Sequence, residues 1–213
     1  MIHLNGNLLA VVDVETTGFI PGHHDVVQVC VLILNEFLEP DKRVLPFYVD
    51  MKPKRPENID PKALKVNRLK FAQLQQRALD PFDAADMFDD WFEALKTDTQ
   101  KRDALLPEGK KLAPVAQNWV FDRGFIIDWL GPKTYDSIFH PWYRDTLPTA
   151  QYLNDAHYHD PMTTHQHKAP FPKSNLAYLC SQLDIKNHGA HDALQDCIAT
   201  GEVYKRMVLR QIR

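Results

Sequence analysis

The chain has 213 residues, 44% of them hydrophobic and 25% charged, which is enough for one large domain with a full core and excludes wholesale disorder. Its net charge of −3, from 25 basic and 28 acidic residues, is not the balance of a protein that grips duplex backbone over a long site, although an acidic metal site would offset a local basic groove. The sequence shows no run of about 18 apolar residues and no signal pattern at its start, so a soluble cytoplasmic protein with no membrane contact is expected. Cys30, Cys180 and Cys197 lack CxxC spacing and read as reduced core thiols.

Leu8–Val12 is an unbroken apolar run with the composition of a strand buried on both faces. Asp13 and Glu15 follow at spacing two, so an extended chain projects both to the same side. Two unpaired acids raise each other's pKa and suffer desolvation together, a conflict that a divalent cation would remove; a solvated strand end is the plain alternative. After a Thr16–Thr17–Gly18 turn, Val26–Leu34 predicts a second strand and Arg43–Met51 a third, with Pro46 marking an edge or a bulge. Asn35–Asp41 would join these two strands as a hairpin, giving an antiparallel meander with the first strand near the centre.

Asp60–Pro61 offers a helix start, with a short helix through Lys65 and another over Leu69–Arg77. From Pro81 a stronger helix presents Phe82, Ala85, Met87, Phe88, Trp91, Phe92 and Leu95 as a broad apolar face. Thr97–Lys111 reads as a solvent loop, Leu112–Ala116 as a fourth strand, and Asn118–Leu130 as a helix stopped at Gly131–Pro132. A fifth strand within Phe139–Asp145 and a helix over Thr146–Leu153 come next. Asn154–Lys173 is a Pro- and His-rich insertion, after which Ser174 caps a helix through Leu183. A long terminal helix from Gly189 turns Ala193, Leu194, Cys197, Ile198, Gly201, Val203 and Tyr204 inward. With no repeat and no linker, the order of elements predicts a single α/β domain over residues 1–213 with a mixed sheet.

Two further acids sit in apolar helical contexts. Asp122 lies between Phe121 and Phe125, and Asp196 lies among Ala193, Leu194, Cys197 and Ile198. His191 precedes Asp196 by five residues, so both can face one cleft from the first turns of the terminal helix. Asp122 could instead pair with Arg123, and His191 could stand near a cap. Asp128 and Asp192 read as solvated surface acids. The HxH pairs His157/His159 and His165/His167 would suit zinc, but a His-rich loop without cysteines is more often solvated or in contact with phosphate.

The three segments DVETTG, NWVFD and HDALQD, in this order, resemble the sequence motifs of the DEDDh group of 3′–5′ exonucleases. IDPKALKVNRL and YRDTLPTAQYL add softer agreement, and the resemblance covers about residues 8–207. It implies a ribonuclease H-like fold: a mixed central sheet, three strands of antiparallel meander plus parallel strands, flanked by helices. It also implies a metal-dependent hydrolase of 3′ ends of single-stranded nucleic acid, DNA favoured over RNA, using two Mg²⁺ ions for which Mn²⁺ would substitute. Asp13, Glu15, Asp122 and Asp196 match the four acidic positions and His191 the histidine. By analogy Asp13 would contact both ions, Glu15 and Asp196 would hold the ion that activates water, Asp122 would support the second, and His191 would be the general base. The main chain near Thr16, the side chain of Phe19, and Asn118 match positions that contact substrate. Gln117 and Gln28 depart from the pattern, standing where many members carry histidine and glutamate. The chemistry wants this set independently: in-line hydrolysis of a phosphodiester needs charge neutralised at attacking and leaving oxygens, and hard cations prefer carboxylate ligands. A polymerase or other replication or repair protein would be a partner in proofreading, and the oligomeric state is left open. The alternative function is a catalytically silent nucleic-acid-binding or polymerase-accessory module of the same fold.

Overall fold

The valine-rich run at the start of the chain forms β1 (Leu8–Thr16) at the centre of a five-stranded sheet, because it can be covered on both faces. In the computed structural model, which describes residues 5–66, 78–96, 104–159, 169–187 and 191–211, the sheet order is β3-β2-β1-β4-β5. β2 (Val26–Ile33) pairs antiparallel with β1, and β3 (Phe47–Asp50) antiparallel with β2. β4 (Leu112–Ala116) and the two-residue β5 (Arg144–Asp145) continue the sheet in parallel. The expected meander and mixed α/β architecture are therefore present. β3 is shorter than the predicted Arg43–Met51, because Pro46 has no N–H to donate to the ladder and pairing begins only at Phe47.

Seven α-helices are formed by the described residues: α1 (Pro61–Val66), α2 (Pro81–Lys96), α3 (Trp119–Leu130), α4 (Pro132–Ile138), α5 (Thr146–His159), α6 (Leu176–Gln182) and α7 (Ala193–Gln211). The helix predicted over Leu69–Arg77 lies outside the described residues. On one face of the sheet, Ala10, Val12 and Val14 of β1 meet an aromatic layer that includes Phe88 of α2, Trp119 and Trp129 of α3, and Phe139. Phe88 sits 5.7 Å from the Trp129 ring and 4.9 Å from Phe47, and the Trp129 indole N–H donates to Pro81 O at 2.9 Å. The face of α2 is narrower than its sequence suggests. Phe82 is 74% exposed and Met87 46%, because Ala84, Phe88, Phe92 and Leu95 at helical spacing already fill the contact.

On the opposite face, Leu9 and Val11 meet α7 through Ala193, Cys197 and Tyr204. Gly201 lets this helix lie close: a Cβ there would stand 3.3 Å from a Val11 methyl. Ile198, expected inward, is 42% exposed, since the inward line runs instead through Cys197, Thr200, Gly201 and Tyr204. The parity of β1 then decides the functional geometry: positions 9 and 11 face α7, so 13 and 15 do too.

Two corrections concern the predicted insertion. α5 continues past Leu153 to His159, absorbing its first residues into helix. His157 and His159 thus stand two apart on a helix, where side chains diverge and cannot share one metal ion. His165 and His167 lie outside the described residues. The α6 cap is Asn175, not Ser174; the Asn175 side chain accepts from Tyr178 N at 2.9 Å. No helix of the described residues is long and apolar enough to cross a membrane.

Candidate active site

Because β1 presents 13 and 15 to the same face as α7, Asp13 and Glu15 emerge beside the first turn of that helix, where Asp196 points back at them. Asp122 arrives from α3 at the other side of the strand. Its Oδ1 accepts from the backbone N–H of Val14, the residue between the two β1 acids, at 3.1 Å. Glu15, Asp122 and Asp196 are each 8% exposed or less, and Asp13 is partly buried. Burial pushes the Asp13 carboxyl well above its ordinary range, and the charges of Asp122, Glu15 and Asp196 push it further. Glu15 is raised from 4.5 to about 8 by burial, then by Asp196 and Asp192. Asp122 is raised by burial against the opposing pull of the Val14 N–H. The four acids that the sequence places on three separate elements do converge, and as a group they are short of positive charge.

A ligand atom from each of Glu15, His191 and Asp196 lies within 4.8 Å of the others, a spacing that could hold a metal ion. His191 reaches this group from a position different from the one expected. It precedes α7, which begins at Ala193, and adopts a left-handed conformation with φ of 69°, where histidine is tolerated better than most side chains. Its own N–H donates to Asp196 Oδ2 at 2.9 Å, while Asn187 Nδ2 donates to Asp196 Oδ1 at 2.9 Å. Asp196 is thus oriented by donors on both oxygens, and the exposed ring of His191 is turned over the cluster.

Residues not singled out as site members hold the frame. Gln28, opposite Glu15 in the β1–β2 register, accepts from Ala193 N at 2.8 Å and donates to Asp50 at 2.7 Å, tying the start of α7 to the sheet. Asp192 is no free surface acid: it accepts from Tyr48 OH at 2.8 Å and caps α7 through Gln195 N at 3.1 Å. Asp145, 7% exposed, accepts from the N–H groups of Asn118, Trp119 and Leu147 at 2.8–2.9 Å. It fixes the start of α3, and so the height of Asp122 one turn later. Gln117 is equally structural, its amide donating to Ser174 O at 2.6 Å and its carbonyl accepting from Thr146. The sequence signal for Asp145 was the Asp-Thr-Leu segment; Asn187 had none.

Of the expected substrate contacts, Phe19 is 63% exposed beside the turn and Asn118 is exposed at the head of α3 with φ of 70°. The Thr16 hydroxyl donates to Gly18 O at 2.6 Å, inside the turn. The Phe19 turn is held from below. A Cβ on Gly18 would stand 2.1 Å from the His24 ring, so only glycine fits there. Arg55 donates to Asp25 at 2.6 Å, to Asp128 and to Gly22 O, and Asp25 is 3% exposed. Asp128 is therefore an ion-pair partner, contrary to its reading as a solvated acid. Arg55→Met leaves Asp25 buried without its cation and is expected to cost about 3 kcal/mol of stability, read as a lowered urea midpoint at unchanged slope.

These elements define a class: an α/β protein with a mixed five-stranded sheet and a largely buried four-carboxylate cluster at the end of its central strand. Solved structures share that fold. Escherichia coli exonuclease I, in its zinc-bound form with single-stranded DNA, matches with a TM-score of 0.71 at 17% identity, over 97% of this chain and 41% of the exonuclease. Exonuclease I from Methylocaldum szegediense gives 0.70 at 20%, over 97% and 41%. Cell-death related nuclease 4 gives 0.61 at 18%, over 96% and 64%. The chain spans less than half the length of the two exonucleases, and at these identities the likeness is one of fold. No protein-family model matches the chain, and no curated protein sequence matches it.

Proposed function

We propose that the chain is a divalent-metal-dependent 3′–5′ exonuclease acting on single-stranded ends, with DNA preferred. The observation that carries this reading is the convergence of Asp13, Glu15, Asp122 and Asp196, four carboxylates whose mutual repulsion and burial make them incompatible with full ionisation unless cations join them. Support comes from the neighbours of shared fold, several of which are exonuclease I structures with single-stranded DNA. Oxygen donors of this kind fit Mg²⁺ or Mn²⁺. Two such cations, when bound, supply charge neutralisation at the attacking and leaving oxygens of an in-line displacement.

The chain's own residues would do the rest. Glu15 and Asp196 hold one cation site, Asp122 supports the other, and Asp13 stands between them. His191, exposed and adjacent, takes a proton from the attacking water as the new O–P bond forms. The bond from phosphorus to the 3′ oxygen breaks, that oxygen takes a proton from solvent, and a nucleoside 5′-monophosphate leaves a strand shortened by one. Phe19 stacks on the terminal base, while the main chain at Thr16 and the amide of Asn118 position the sugar and phosphate. The reading needs no polymerase partner.

The test is a time course on 3′-ended DNA and RNA oligonucleotides, single- and double-stranded, with Mg²⁺, with Mn²⁺ and with EDTA. Expected is stepwise release of mononucleotides from single-stranded DNA, fastest with metal and abolished by EDTA. No digestion of any substrate with either metal would instead favour a silent nucleic-acid-binding module.

A further inference from the structure

Glu15, His191 and Asp196 differ from the rest of the acidic cluster in one respect that bears on metal choice. Their three ligand atoms include a nitrogen and lie mutually within 4.8 Å. The geometry around them is built. Asp196 is held by N–H donors at 2.9 Å on each oxygen, and His191 is fixed to the same carboxylate through its own backbone. Glu15 sits on the central strand with its neighbour across the sheet, Gln28, bonded to the first residue of α7. An imidazole beside two carboxylates is a donor set that hard Mg²⁺ uses poorly, because Mg²⁺ keeps oxygen ligands and water. Zn²⁺ binds the same set well: it takes imidazole nitrogen and carboxylate oxygen at about 2.0–2.2 Å in a tetrahedral shell, leaving one position for solvent. Ligand atoms of such a shell stand about 3.4 Å apart, and the three here all lie within 4.8 Å of one another.

We propose that Glu15, His191 and Asp196 form a zinc-selective site that inhibits the chain by taking His191 into the metal's coordination shell. The inhibitory consequence rests on the exonuclease reading, in which His191 must stay free to accept a proton; the binding itself does not. Zn²⁺ and Mg²⁺ then compete for overlapping carboxylates, but only Zn²⁺ gains from the ring. Trace zinc silences the site in the presence of a large excess of Mg²⁺.

Zinc affinity, measured by competition with a chromogenic chelator at pH 7.5, separates this proposal from a purely acidic site. His191→Asn is the informative variant, because asparagine tolerates the positive φ at this position and removes only the imidazole. Zinc affinity is expected to fall by about 100-fold or more, since loss of even an outer-shell partner costs about 10–100-fold, while thermal unfolding of the metal-free protein is unchanged. Glu15→Gln is expected to weaken zinc similarly. Co²⁺ should report the ring directly: the parent protein shows the intense visible bands of a four-coordinate ion, and His191→Asn does not. Equal zinc affinity in parent and His191→Asn overturns the proposal even if the protein digests DNA. Conversely, His191-dependent zinc binding in a protein that digests nothing upholds the site while the exonuclease reading fails.

Discussion

Asp13→Asn is expected to lower Mg²⁺-dependent release of mononucleotides by about 10³-fold or more and, at the same time, to make the metal-free protein more stable. The two effects share one cause. Asp13 is pressed by burial and by Asp122, Glu15 and Asp196, so its charge is a burden on the folded chain when no cation is bound. Asparagine keeps the shape and removes the charge, which should raise stability by about 1–2 kcal/mol. In the proposed function the same charge would gather cations against a phosphodiester whose negative charge grows during reaction, and losing several kcal/mol of that stabilisation corresponds to the loss in rate. Single-turnover digestion and urea unfolding, both run on the purified variant, check the pair. A variant that digests as fast as the parent would remove Asp13 from the mechanism, and one less stable than the parent would show that the cluster is not strained.

Magnesium should raise the unfolding temperature, and by an amount that grows with pH. Glu15 releases its proton at about 8 in the folded chain, against 4.5 ordinarily. Between these values the folded chain keeps a proton that the unfolded chain has lost, so raising the pH through that window favours unfolding and the metal-free protein weakens. A cation must displace this proton, which it does more easily at pH 8.5 than at pH 6. At a hundredfold excess over its dissociation constant a ligand adds about 2.7 kcal/mol, equivalent to about 5–10 °C for a domain of this size. Differential scanning fluorimetry at pH 6, 7 and 8.5, with and without Mg²⁺, should show the metal-free midpoint falling with pH and the metal-induced shift widening. A shift independent of pH would place the ion away from Glu15.

Both expectations depend on a site that is destabilising when empty, and the fold shows how the chain carries it. Asp145 holds the start of α3 through three N–H groups, Gln28 and Asp192 hold the start of α7, and the Val14 N–H holds Asp122. Asp122 and Asp196 are thus anchored by hydrogen bonds, and Asp13 and Glu15 by their places on the central strand.

Much of this was legible in the residues. The period-two placement of Asp13 and Glu15 after a valine run is a local property of an extended chain, and so is the strand Leu112–Ala116, which the structure reproduces residue for residue. The order of the motifs was sufficient to nominate Asp122, His191 and Asp196. Helix faces were less legible. Phe82, Met87 and Ile198 have the hydropathy of core residues but lie outside the contact, because how wide a stripe is buried depends on the curvature and reach of the partner surface. His191 illustrates the same limit: five residues before Asp196 suggested a shared helix, whereas the chain turns through a left-handed residue and brings the ring back over the carboxylates.

The sequence by itself nominated the acids that the structure brings together, through the motifs they resemble, and determined that two of them leave one strand together, since that follows from local periodicity. Only the tertiary structure decided that β1 turns positions 13 and 15 toward α7 and not toward the aromatic layer. It also decided that His191 joins Glu15 and Asp196 as a possible ligand group, and that Asp128 and Asp192 are structural partners. Those outcomes depend on register across strands and on contacts between residues distant in sequence, 73 positions apart for Arg55–Asp128 and 144 for Tyr48–Asp192, which no local pattern encodes.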